Sequence, residues 1–123
     1  MLRTSNRPDV LVIEDNALIT LDILDGLEEC GVGKVAHASN MRDAIRTMHE
    51  GLPKVALVDL SLSDGDTGAQ LAMALARSGV RVCIFSGAEM PDNKLASIPH
   101  VYIAKPAPAD LVAQIIQSQL TLN

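Results

Sequence analysis

Five residues in this chain carry chemistry, and each stands where an apolar run gives out. Glu14 and Asp15 follow Val10–Ile13 directly. Asp59 lies at the end of Val55–Leu60, Ser86 follows Val80–Phe85, and Lys105 follows Val101–Ala104. Two unit charges about 4 Å apart repel by roughly 4 kcal/mol at an effective dielectric near 20. Three carboxylates brought together would therefore need a counter-charge. Mg2+ is the natural candidate, because it takes oxygen ligands and commonly uses one or two carboxylates plus a phosphate oxygen. With an ammonium and a hydroxyl nearby, such a site suits phosphoryl transfer. Asp59 would attack phosphorus and become an aspartyl phosphate, while Mg2+, Lys105 and Ser86 meet the three equatorial oxygens.

That chemistry requires the runs to share one edge. Each run is four to six residues long and bounded by Gly, Pro or polar residues, and Lys34–Ala38 is a weaker fifth. Near-continuous apolar character suits parallel strands covered on both faces. Between the runs lie helical patterns. Asn16 caps a first helix to about Cys30, with Gly31 ending it. A second runs from a Ser39 or Asn40 cap to Gly51, with Met41, Ile45 and Met48 on one face. Thr67, with Gln70 three residues later, reads as a capping box opening a third. Pro108 stands at an N1-like position of the last. The connection from Ser86 to His100 holds two prolines, so only one or two poorly anchored turns are expected, near Asp92–Ser97. The pattern is (βα)5, an α/β fold with a doubly wound parallel sheet and right-handed crossovers. In such sheets ligands bind beyond the carboxyl ends of the strands, which is where all five residues fall.

The 123 residues suit one domain. We expect a disordered tail over residues 1–8, a domain over 9–121, and no output domain. The net charge of −5, with no basic run, argues against an extended nucleic-acid contact. Phe85 and Tyr102 are the only aromatics, so nothing stacks bases or flavins. Cys30 and Cys83 form no CxxC and read as core thiols of a reducing compartment. With no signal peptide and no long apolar run, a soluble, cytoplasmic protein outside the membrane is expected. His37, His49 and His100 share no motif and read as surface or boundary residues. Gly31-Val32-Gly33 joins a helix to a strand, the wrong direction for a dinucleotide fingerprint.

The sequence resembles the receiver domain of bacterial two-component response regulators. The resemblance rests on "EDN" at Glu14–Asn16, "VALVDLSLSDGDTG" around Asp59, "FSG" at Phe85–Gly87 and "YIAKP" at Tyr102–Pro106. It covers about Asp9 to Leu120. It implies a flavodoxin-like sheet of order 2-1-3-4-5, with a short or poorly ordered fourth helix. It implies Asp59 as phosphoacceptor in a signalling phosphoprotein. Mg2+ would be held by Asp15, Asp59 and the backbone carbonyl of Ser61, with Glu14 direct or through water. Lys105 would pair with Asp59 and later with the phosphoryl group, and Ser86 would bind a phosphoryl oxygen. Lys105–Pro106 would be cis, and Tyr102 would swing inward as the Ser86 loop moves.

The implied donor is a sensor histidine kinase or a histidine phosphotransfer protein, with Leu18 and Leu21 helping to dock it. A separate downstream protein would receive the signal, or the module would act as a phosphoryl shuttle or sink. Beyond its own phosphorylation and dephosphorylation it would not be an enzyme. Departures fall on the output face. The usual proline after the phosphoacceptor is absent, Gly87 replaces the usual Ala, and Ala107 replaces the usual aromatic after Lys-Pro. Two rival classes stand beside this. A haloacid-dehalogenase-type phosphatase needs an acid two residues after its nucleophile, where this chain has Ser61. A phosphorylation-independent interaction module would keep the site only as a relic.

Overall fold

Parity along each strand decides what the strand covers. In the computed structural model, which describes residues 7–62, 67–87 and 94–122, the strands are β1 (Val10–Ile13), β2 (Val35–Ala38), β3 (Val55–Asp59), β4 (Arg81–Ser86) and β5 (Val101–Ala104). They form one parallel sheet in the order β2-β1-β3-β4-β5. Leu11, Ile13, Ala56, Val58, Val82 and Ile84 face one side. Val10, Val12, Val55, Leu57, Cys83 and Phe85 face the other. Because successive side chains point to opposite faces, a run apolar at every position builds two cores at once.

Helices α1 (Ala17–Glu29), α2 (Met41–Glu50), α3 (Thr67–Arg77) and α4 (Ala109–Leu120) cover those faces. Ile23 and Leu27 of α1 and Val112 and Ile116 of α4 close one core, while Ala44 of α2 and Leu71 and Leu75 of α3 close the other. Each fully buried aliphatic side chain contributes about 1.5–3 kcal/mol of transfer free energy. Two of the expected caps hold. Asn16 Oδ1 accepts the Ile19 N–H at 3.0 Å, and Asn40 Oδ1 accepts the Asp43 N–H at 2.9 Å. Thr67 is the first residue of α3, and the residues just before it lie outside the described ones. One expected position moves by a residue. Pro108 is the cap of α4, extended at φ −61° and ψ 141°, with its carbonyl accepting the Val112 N–H.

The expected short fourth helix is a single 3-10 turn, Lys94–Ser97. It is anchored rather than loose, because Leu95 and Ile98 are buried in the same core as Leu62. The expected N-terminal tail lies outside the described residues up to residue 6, and Pro8 at its end is buried. Cys83 is buried and Cys30 half-buried, both as free thiols. Burial pushes the Cys83 thiol up to about 12. No helix among the described residues is long and apolar enough to cross a membrane.

One contact ties the fold directly to the site. Gly68, in the first turn of α3, lies against the backbone that leaves β3. A Cβ there would overlap the carbonyl oxygen of Asp59 and stand 2.8 Å from the Leu60 Cα. Both are main-chain atoms and cannot step aside cheaply. Ala is the better helix former by about 1 kcal/mol, yet Gly68→Ala should destabilise the protein by about 1–3 kcal/mol, the usual cost of overpacking. Urea denaturation reads the difference, and an unchanged or raised midpoint would contradict the close approach.

Candidate functional site

Because the sheet is parallel, the carboxyl ends of β1, β3, β4 and β5 open on one edge. Glu14 and Asp15 leave β1, Asp59 closes β3, Ser86 closes β4, and Lys105 leaves β5. β1 and β3 are hydrogen-bonded neighbours, so their acids meet. Glu14, Asp15 and Asp59 each offer an oxygen within 4.8 Å of the others'. Glu14 is 1% exposed and Asp59 2%, whereas Asp15 is exposed.

Lys105 is the cation of this cluster. Its Nζ donates to Glu14 Oε1 at 2.9 Å and stands 3.5 Å from Asp59 Oδ2. Its shorter contact is thus with Glu14, not with the Asp59 partner implied by the resemblance. The ammonium also lies 4.9 Å from the centre of the Phe85 ring, a cation–π contact. The Lys105–Pro106 peptide is cis. Asp59 Oδ1 accepts both the Ser61 N–H at 2.9 Å and the Ser61 hydroxyl at 2.8 Å. Glu14 Oε2 accepts the Asn16 N–H at 3.1 Å.

These partners push the two buried acids apart. Burial holds the Glu14 carboxyl above its ordinary value, and neighbouring Asp59 adds to the rise, outweighing Lys105 and the Asn16 N–H. Burial also acts to raise Asp59. The donors of Ser61, the neighbouring Glu14 and the charge of Lys105 outweigh it, so Asp59 sits below the ordinary range. Asp59 is therefore the member of the pair held ready as an anion.

The donor set fits a hard divalent cation. With all three acids ionised, the cluster carries −3 + 1 = −2 when Lys105 is counted. One Mg2+ brings that to zero, and carboxylate oxygens are its preferred protein ligands. The remaining sequence-derived residues fall around the cluster. Ser86 is buried at the end of β4. Tyr102 is 41% exposed on β5, and its hydroxyl donates to the Ser86 carbonyl at 3.2 Å. Leu18 and Leu21 are 75% and 57% exposed on α1. A cavity of about 180 Å³, lined by Ile19, Asp22, Phe85, Lys105 and Ala107 among others, lies between α1 and the cis peptide.

Sequence reasoning missed three contributors. Asn16 serves the site as well as the helix. Phe85 underlies Lys105. His37, read as an ordinary surface or boundary residue, places Nε2 3.1 Å from the Glu14 carbonyl oxygen. For Asn16 and Phe85, adjacency in sequence to Glu14 and Ser86 was an available signal. His37 had none short of strand register.

An open parallel sheet with a largely buried acid cluster and an opposed lysine at its carboxyl edge defines a class of α/β module whose acids could hold a cation. The comparisons give that class its family. The response regulator receiver domain family matches residues 10–117, and the chain belongs to it. The virulence transcriptional regulatory protein PhoP of Salmonella typhimurium is 33% identical over 119 residues, covering 93% of this chain and 52% of the relative. PhoP of Salmonella typhi matches equally. The chain thus spans about half the length of these curated relatives. Among solved structures, a CheY-like receiver domain protein from Methanospirillum hungatei shares the fold at a TM-score of 0.79 and 21% identity, over 95% of this chain and 94% of that one. A response regulator from Thermotoga maritima does so at 0.76 and 19%, over 94% and 99%.

Removing the lysine tests the charge arrangement without any ligand. In EDTA at neutral pH, Lys105→Met should cost on the order of 3 kcal/mol, the scale for stranding a buried charge. The loss should shrink toward pH 5. Glu14 titrates above its unfolded value, so acidification protonates it in the folded state first and removes the stranded charge. Urea denaturation at both pH values checks this, and an equal loss at each would refute it.

Proposed function

We propose that Asp59 accepts a phosphoryl group from a phosphohistidine donor, and that this modification carries the signal. The observation that supports it most is the state of Asp59 itself. It is buried, anionic, held by Ser61 through Oδ1, and faces Lys105 through Oδ2. A carboxylate oxygen attacks phosphorus, the bond from phosphorus to the donor nitrogen breaks, and the leaving imidazole keeps that electron pair. Lys105 and Ser86 would meet phosphoryl oxygens as the charge on them develops.

Mg2+, held by Asp15, Asp59 and the Ser61 carbonyl with Glu14 direct or through water, would supply the remaining neutralisation when bound. Lys105 already bridges two carboxylates. A third anionic group on Asp59 gives its ammonium a new partner and changes what Glu14 must balance. Tyr102, hydrogen-bonded to the Ser86 carbonyl, would carry a change at Ser86 to the exposed side of β5. The phosphoryl group would shift a pre-existing equilibrium rather than create a new state. The output would be a changed contact with a downstream partner, or onward transfer of the phosphoryl group. Soluble, cytoplasmic signalling is the setting this chemistry implies.

The donor's docking surface is the exposed face of α1. Leu18, Leu21, Asp22, Asp25, Glu28 and Glu29 are all exposed. Their spacing of three and four residues puts them on one side of the helix. The helix carries no basic residue. An apolar patch beside the site, continued by four acids, fits a helical donor with a Leu-rich contact flanked by Lys or Arg.

Two experiments test these points. Acetyl phosphate with Mg2+ should add one phosphoryl group to the wild-type protein, seen by intact mass. Asp59→Asn should take none, and labelling of that variant would place the acceptor elsewhere. Against a purified cognate kinase, Leu18→Ala should slow transfer about tenfold while leaving the acetyl phosphate rate alone, the scale of losing about 1.4 kcal/mol of docking energy. Equal slowing of both would move Leu18 from docking to chemistry.

A further inference from the structure

We infer that His37 is a positioning residue for the acid loop, acting through the main chain of Glu14 to set divalent-cation affinity. This rests on the proposed Mg2+ site. Glu14 lies one residue past β1, and its N–H still joins the ladder by donating to the Ala38 carbonyl at 3.1 Å. Its own carbonyl has left the ladder. Two side chains approach that oxygen among the described residues, His37 Nε2 at 3.1 Å and the Thr20 hydroxyl at 3.5 Å.

The hydroxyl has a single proton and a nearer acceptor, the Asn16 carbonyl at 2.9 Å. That leaves His37 as the donor that satisfies the Glu14 carbonyl. Nε2 must then carry hydrogen, because a carbonyl only accepts. Glu14 is almost fully buried, whereas His37 is exposed, so truncating the imidazole exchanges a fixed donor for mobile water and frees the loop to turn.

Where it would turn matters. The carbonyl of Glu14 belongs to the peptide that carries Asp15. Rotating that peptide swings Asp15 away from Asp59 and shifts the Glu14 carboxyl against Lys105. His37 reaches the loop from β2, the neighbour of β1, where it pairs in register with Val12. Groups that orient ligands from behind typically alter metal affinity by 10–100-fold when removed.

The test uses Mg2+ alone, titrated calorimetrically into the full chain, with two variants. His37→Ala should weaken Mg2+ binding about tenfold. His37→Gln, whose amide N–H reaches about as far as Nε2, should stay within about threefold of wild type. Phosphorylation by acetyl phosphate should follow the same order at low Mg2+ and converge at saturating Mg2+. In the wild type, long-range 1H–15N spectra should show a protonated Nε2. Unchanged affinity in His37→Ala, or a bare Nε2 with the proton on Nδ1, would overturn the assignment while leaving the Mg2+ site standing. A wild-type protein that binds no Mg2+ would remove the site and this role together.

Discussion

Everything at the functional edge follows from the cost of gathering negative charge in a place water barely reaches. Two of the three acids are almost fully buried. At an effective dielectric near 20, a pair about 4 Å apart costs roughly 4 kcal/mol, a large share of the 5–15 kcal/mol by which domains are stable. The chain meets this with one ammonium, several N–H and O–H donors, and unequal proton affinities. Glu14 is pushed up and Asp59 down. The outcome is an acid that stays ionised where the phosphoryl group would arrive and a neighbour that can absorb a proton.

Much of this was legible in the sequence because strand ends are legible. A parallel sheet makes each residue that follows an apolar run a resident of the same edge. Glu14, Asp15, Asp59, Ser86 and Lys105 could thus be grouped before any coordinates. Asn16 and Asn40 were legible as caps because their side chains bond only three residues on. Pro108 shifted by one residue because caps are set by local φ and ψ, which several neighbouring residues can satisfy.

What stayed hidden depended on distance across the chain. Lys105 was expected on Asp59, yet its shorter contact is to Glu14, 91 residues away. Choosing between two carboxylates on adjacent strands takes side-chain reach, which spacing does not encode. His37 was hidden for the same reason, since only the β1–β2 register brings it beside Glu14. Gly68, a poor helix former in the first turn of α3, drew no reading from the sequence. Its reason, the backbone of Asp59 behind it, is tertiary.

The placement of Lys105 also bears on how a charge change at Asp59 could be felt elsewhere. Its ammonium stands 2.9 Å from Glu14 and 3.5 Å from Asp59, so a small displacement exchanges which carboxylate it serves. It is not free to move alone. It rests on the ring of Phe85, which precedes Ser86 on β4, and its own N–H donates to the Ser86 carbonyl at 2.9 Å. That same carbonyl accepts the Tyr102 hydroxyl. One lysine therefore touches the acid cluster with its side chain and the end of β4 with its main chain. On the proposed function, an electrostatic change at Asp59 and a conformational change at Ser86 would be two descriptions of one rearrangement, with no chain of intermediaries between them. Such coupling needs a bias of only about 1.4 kcal/mol to change the balance of two states tenfold, well below the electrostatic energies already present at this edge.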